Sequence, residues 1–225
     1  NNFICKGLER NGGVCMRRFE YGRIQSLSWD MDILSLIAGI YRANGKEEVL
    51  LSQSPTVLES LVELAKVQST EASNAIEGIV TMSTRLRQLV ADKTTPRNRD
   101  EQEIMGYRDA LNIIHDSYDS ITLSRNHILQ LHKILYHYQF NARGGQLKSV
   151  QDYISATYPD GRTEVLFTPL APYETAEALD QICTEYNRVV GNGEVEPLLA
   201  IPIFIHDFLC IHPFNDGNGR MSRLL

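Results

Sequence analysis

Residues 212–223 read HPFNDGNGRMSR, placing an imidazole (His212), a carboxylate (Asp216), a glycine-bracketed turn (Gly217, Asn218, Gly219) and two guanidiniums (Arg220, Arg223) within twelve positions. Two glycines flanking Asn218 let the backbone take up positive φ and come close to a ligand, so that exposed N–H groups wrap an anion where a helix begins. Arg220 and Arg223, three apart, fall on one face of such a helix and point at the same polyphosphate. Asp216 supplies the hard oxygen that Mg2+ takes together with phosphate oxygens. His212 is the side chain that accepts a proton near neutral pH. Each feature alone is ordinary, since a His beside Pro is commonly a packing residue, an Asn-Asp-Gly run a surface turn, and two arginines a solvated face. Their conjunction is an inventory for handling a nucleoside triphosphate. No G-x-x-x-x-G-K-[ST] occurs, so 217–219 is the only evident triphosphate cradle in the sequence.

The stretch resembles, residue for residue, the HxFx(D/E)GNGRxxR pattern of Fic-domain proteins of the Fic/Doc family, most of which move AMP from ATP to a Ser, Thr or Tyr hydroxyl of a target protein. The resemblance implies that His212 is the general base, that Phe214 anchors the loop in the core, and that Asp216 binds Mg2+ at the α- and β-phosphates. It implies an anion hole at Gly217, Asn218 and Gly219, phosphate contact by Arg220, and γ-phosphate contact by Arg223. Reading GNGR, the motif is closer to AMP-transferring members than to the phosphate-transferring Doc type. The implied fold is all-α: a Fic-type helical core with a small β-hairpin flap, preceded by an N-terminal helical region. The implied partners are Mg-ATP and a target protein bearing a modifiable hydroxyl, and homodimers are common in the family.

Upstream, Leu58, Leu61, Val62, Leu64, Ala65 and Val67 recur at helical spacing, so Ser73 and Glu77 fall i,i+4 on one face and Gly78 stops the helix. Composition alone makes this an ordinary helix ending in Glu-Gly. Ser73-Asn74-Ala75-Ile76-Glu77-Gly78 also resembles the (S/T)xxxE(G/N) inhibitory motif of Fic proteins that carry their inhibitor in the same chain. A carboxylate at Glu77 reaching Arg223 would occupy the cation meant for the γ-phosphate, and Ser73 would steady the same face. The resemblance leaves open the reverse reaction, removal of AMP with Glu77 orienting a water. A nucleotide-sensing regulatory protein without significant turnover is the alternative outside enzymology, and an intact His212 weighs against it.

Around residues 146–168 the helical pattern breaks into Val150-Gln151-Asp152-Tyr153-Ile154 and Val165-Leu166-Phe167, with Tyr158-Pro159-Asp160-Gly161 as the turn of a β-hairpin. Taken by itself this is a surface excursion. The resemblance implies a flap at 150–154 that holds a target segment by strand addition. Gly144-Gly145-Gln146-Leu147-Lys148 departs from the G-x-(Y/F)-R expected before that flap.

These groups need a scaffold, and the chain supplies helices. Helices are expected over 30–44, 56–76, 79–91, 99–116, 124–138, 173–190 and 196–210, with Ser124 and Glu174 near helix starts. The polar stretch 92–99 is the expected boundary between an N-terminal helical region (1–95, its inhibitory helix at about 56–77) and a Fic catalytic core (96–225) that is C-terminally truncated, ending two residues past Arg223. Pro202, His206 and Asp207 interrupt the apolar run 198–211, which is too short to span a bilayer and reads as the buried helix delivering His212. His115, His127, His132 and His137 are rejected as a metal site and His206 is read as a core hydrogen-bonding residue. With 225 residues, 43% apolar and 22% charged, the chain can bury a sizeable core. A net charge of −6 argues against a nucleic-acid surface in this segment. Cys5, Cys15, Cys183 and Cys210 show no CxxC spacing, and with no sequon present a cytoplasmic protein with reduced thiols and no membrane partner is expected.

Overall fold

The computed structural model describes residues 19–53, 55–140 and 143–225. After a short 3-10 helix at Tyr21–Ser26 come α1 (Met31–Gln53), α2 (Pro55–Ile76), α3 (Ser83–Val90), α4 (Arg99–Ser117) and α5 (Arg125–Leu135). The antiparallel strands β1 (Ile154–Thr157) and β2 (Thr163–Phe167) follow, then α6 (Pro172–Gly191), α7 (Pro197–Ile211) and α8 (Asn218–Leu224). The chain is mostly helical with one small hairpin, as the sequence implies. It forms two compact units, and the boundary between their last segments falls inside the motif, between Asn215 and Asp216.

The first unit holds residues 19–27, Leu123–Arg125 and Leu147–Asn215. Its core is built where α6 packs on α7, from Leu179, Ile182, Val189, Phe204, Phe208 and Ile211. Helix α6 starts as its sequence directs: Pro172 takes the first position, and the Glu174 carboxylate accepts the Ala171 N–H at 3.2 Å. The hairpin turns at Tyr158–Gly161, where Gly161 takes φ +83° and donates its N–H to the Tyr158 carbonyl at 2.9 Å.

The second unit holds Ser28–Thr122, Asn126–Gln146 and Asp216–Leu225. Leu86, Leu89, Ile104 and Met105 form a cluster between α3 and α4, and Val67 of α2 packs against it. Helix α2 ends at Gly78 (φ +75°) in a Schellman arrangement: Gly78 N–H donates to Ala75 and Ile79 N–H to Asn74, both at 3.0 Å. That stop leaves Glu77 as the capping residue. Helix α4 begins at Asn98, whose side chain accepts the Glu101 N–H at 2.9 Å.

Four expectations shift. Helix α1 runs on to Gln53 because Gly45 costs a helix only about 1 kcal/mol and nothing else breaks it. The Schellman stop delays the helix expected from 79 until Ser83. Helix α5 closes at Leu135, three residues early, in successive turns where His137 donates to Ile134 and Gln139 to Tyr136. Strand β1 begins at Ile154 rather than 150, because side chains fix the preceding residues: Gln151 donates to the Pro169 carbonyl at 3.1 Å, and Asp152 accepts the Tyr153 N–H at 2.9 Å.

Two stability predictions arise here. A Cβ at Gly106 of α4 would lie 1.9 Å from the Leu135 carbonyl oxygen and 2.7 Å from its carbon. Gly106→Ala must force the two backbones apart, costing about 2–3 kcal/mol and lowering Tm by roughly 5–10 °C. An unchanged melting curve would show that this close approach does not exist. Glu101 is buried and bonded to Arg85 at 2.9 Å through both carboxylate oxygens. The Arg85 guanidinium, aided by the Arg97 N–H, holds its carboxyl at about 2 against the opposing effect of burial. A carboxyl depressed in the folded state stabilises fully above its unfolded value and loses that contribution as pH falls through about 2. Glu101→Gln is therefore expected to lower Tm at neutral pH and flatten its decline between pH 5 and 2, read by thermal melts across that range.

Candidate active site

In the first unit α7 carries the chain to His212. The helix starts on Pro197, with the Glu196 side chain accepting the Leu198 N–H, and Phe208 and Phe214 fix its far end, both buried with ring centroids 6.3 Å apart. His212 caps α7 in the left-handed region (φ 51°, ψ 65°), its N–H donating to the Phe208 carbonyl at 2.9 Å. Its Nε2 lies 3.2 Å from Asp152 Oδ2. Burial pushes its pKa below the ordinary imidazole value, and the Lys148 cation adds to this, against the Asp152 carboxylate and the Leu209 backbone. The neutral, proton-accepting ring is thus the form favoured at neutral pH.

In the second unit the segment continues from Asp216. Gly217 (φ +84°) caps the start of α8, and Asp216 Oδ1 accepts its N–H at 2.7 Å. A Cβ at Gly217 would lie 2.9 Å from Tyr136 Oη. Arg220 is only 2% exposed; Nη1 donates to Glu103 Oε2 at 2.7 Å and Nη2 to Tyr136 Oη at 2.9 Å. Its Nε has no protein acceptor among the described residues. Arg223 meets α2: Nε donates to Ser73 Oγ at 2.8 Å, and Nη2 to the Ser73 carbonyl at 3.0 Å and to Glu77 Oε1 at 2.7 Å. The same Glu77 oxygen sits 2.3 Å from where a Cβ on Gly219 would be, so its carboxylate rests against the glycine turn.

The structure therefore brings Ser73, Glu77, Gly219 and Arg223 together, and pairs His212 with Asp152. Of Val150, Gln151, Asp152, Tyr153 and Ile154, only Ile154 lies in a strand. Val150 and Tyr153 are exposed, whereas Asp152 faces the imidazole. His206 is half exposed and lies 3.7 Å from Asp207, so it is not a core residue. Neither Cys183 nor Cys210 is in a disulfide among the described residues, while Cys5 and Cys15 lie outside them. Sequence reasoning missed Glu103, Tyr136 and the part played by His132. His132 is buried and accepts the Gly145 N–H at Nδ1 (2.8 Å), so Nε2 carries the proton and donates to the Asp216 carbonyl at 3.0 Å. Burial holds its pKa down at about 4. No local signal marks these partners.

Residues 122–225, ending in the HPFNDGNGRMSR segment and α8, match the Fic/DOC family. The chain carries a Fic/DOC family domain. Among curated relatives, protein adenylyltransferase fic-1 of Caenorhabditis elegans is 28% identical over 132 residues, covering 56% of this chain and 23% of the relative. Protein adenylyltransferase Fic of Nematostella vectensis is 25% identical over 178 residues, covering 75% of this chain and 38% of the relative. The chain thus spans less than half the length of either relative. Among solved structures, a Fic domain containing signaling protein from Bacteroides thetaiotaomicron superposes with a TM-score of 0.70 at 23% identity, over 82% of this chain and 69% of that one. Fic-1 of C. elegans superposes with a TM-score of 0.61 at 19% identity, over 85% and 57%. At these identities the likeness establishes the Fic fold. Among the described residues no helix is long and apolar enough to cross a membrane.

Proposed function

We propose that the protein is an adenylyltransferase that moves AMP from ATP to a Ser, Thr or Tyr hydroxyl of a target protein, held in check by Glu77. The observation that carries this reading is His212, presented at the end of α7 in its neutral form and followed in the same segment by an unbroken GNGRxxR. The neutral His212 imidazole takes the proton of the target hydroxyl. The hydroxyl oxygen bonds to the α-phosphorus, the bond from that phosphorus to the bridging oxygen breaks, and pyrophosphate leaves. Backbone N–H groups at Gly217, Asn218 and Gly219, with Arg220, stabilise the charge on the phosphates, and Arg223 is the cation for the γ-phosphate. Asp216 fits a Mg2+ ion: its side chain is 60% exposed, and among the described residues the cations beside its carboxylate stand off at 3.8 Å (Arg220) and 3.9 Å (Arg99). Bound there with the nucleotide, the ion would neutralise phosphate charge. Residues 150–154 are the proposed docking flap for the target strand, with Val150, Tyr153 and Ile154 exposed. We place the N-terminal helical region at 1–95 and the catalytic core at 96–225. Cys183 and Cys210, in no disulfide among the described residues, suit a cytoplasmic location.

The test is transfer of label from α-labelled ATP with Mg2+ to the protein itself and to a lysate, comparing the unsubstituted chain, Glu77→Gly, and Glu77→Gly combined with His212→Ala. Labelling that is strong only in Glu77→Gly supports the reading. Nucleotide binding with no labelling in any form would overturn it and favour AMP removal or nucleotide sensing.

A further inference from the structure

His212 adopts a left-handed backbone that is strained for a residue with a β-carbon and persists only where its surroundings over-determine it. Two contacts from one residue bracket it. Lys148 donates its backbone N–H to the Pro213 carbonyl at 2.8 Å and its Nζ to the Ile211 carbonyl at 2.9 Å. The peptide oxygens of the residues on either side of His212 are thus both taken by Lys148. Ile211 ends α7, so its carbonyl is one of the orphans at the negative end of the helix, where a cation is the matching partner.

Packing alone does not explain an ammonium there. Lys148 is 3% exposed, and an apolar side chain would fill the space without the cost of a buried charge. That cost is visible in its pKa, which burial draws down to about 8 although the Asp152 carboxylate pulls the other way. Among the described residues, the Asp152 carboxylate acts on both Lys148 and His212 and lies against the imidazole, and the Lys148 cation acts on His212.

We propose that Lys148 is a positioning residue, holding the His212 imidazole in its reactive orientation by gripping the backbone on both sides of it. This rests on His212 acting as the base, and it adds a residue that does not touch the substrate. The experiment uses the Glu77→Gly chain with α-labelled ATP and follows labelling of the chain itself, with Lys148→Met to remove the donor and Lys148→Arg to restore a cation. Lys148→Met is expected to lower kcat about tenfold or more while KM for ATP moves less than about threefold, and Lys148→Arg to recover most of the loss. A second readout is independent of turnover. In the unsubstituted protein the His212 ring signal, followed by NMR, carries an inflection near pH 8 as Lys148 loses its proton, and Lys148→Met abolishes it.

Unchanged kcat in Lys148→Met overturns the proposal, as does an unsubstituted His212 signal with no inflection in that range. Should Lys148→Met fail to fold, the titration of the unsubstituted protein decides alone. If Glu77→Gly transfers no AMP at all, the transfer reading fails, and the titration still judges the Lys148 contact.

Discussion

Glu77→Gly raises AMP transfer by roughly ten- to a hundredfold. Arg223 donates to Ser73 Oγ, to the Ser73 carbonyl and to Glu77 Oε1. A hydrogen bond between charged groups contributes about 1.5–3 kcal/mol when sheltered, and about 1.4 kcal/mol is a factor of ten in rate. The pair is part-exposed, with the side chains 29% and 37% accessible, which discounts the figure toward its lower end. A second effect works in the same direction. Glu77 Oε1 rests against Gly219, in the turn proposed to hold phosphates, so its negative charge repels the incoming nucleotide there. Removing the carboxylate frees a cation and clears an anion together. Ser73→Ala takes away one neutral acceptor and leaves the Ser73 carbonyl in place, so its effect should be no more than a fewfold. Initial rates from α-labelled ATP decide the matter. Equal rates for Glu77→Gly and the unsubstituted chain would remove Glu77 from any inhibitory role.

What the sequence discloses, and what it hides, follows from how far apart the partners lie along the chain. The base, the carboxylate, the glycine turn and the two arginines sit in one contiguous segment, so type and spacing suffice to find them. The same holds for the hairpin turn, where Pro159, Asp160 and Gly161 act on their own backbone, and for Gly78, whose positive φ ends α2 within two residues of where the apolar pattern stops. Glu103 and Arg220 are 117 positions apart, and Tyr136 and Arg220 are 84 apart. Glu103 in isolation reads as a solvent-facing residue of an amphipathic helix; only the folded chain shows it buried against a guanidinium. His132 reads from the sequence as a helix residue, yet its hold on the Asp216 carbonyl depends on α5 lying beside a segment 84 positions later. Strand β1 was misplaced for a related reason. Val150, Tyr153 and Ile154 are residue types that favour a strand, but Gln151 and Asp152 spend their side chains on neighbouring backbone and on His212, which no pattern of apolar residues records.

His212→Ala in the Glu77→Gly chain is expected to lower transfer by about a hundred- to ten-thousandfold, the range that a positioned general base contributes. Nucleotide affinity should stay within about twofold, because the groups proposed to hold the phosphates begin at Asp216 and keep their own supports in Glu103, Tyr136 and His132. The pH profile carries more information than the single rate. A base works only when deprotonated, so transfer falls as pH drops through the His212 pKa. Burial places that pKa below the ordinary imidazole value, so the rate should hold steady on acidifying past about 6.5 before it declines. Asp152→Asn removes the carboxylate that favours the protonated ring, and so should move the acid limb to still lower pH. A shift toward higher pH would mean that Asp152 does not act on the ring as a charge. Equilibrium binding and initial rates measured on the same preparations separate the two classes of protein that the sequence allows. An enzyme loses transfer and keeps its nucleotide when His212 is removed; a sensor, having no proton to move, keeps both its nucleotide and its output.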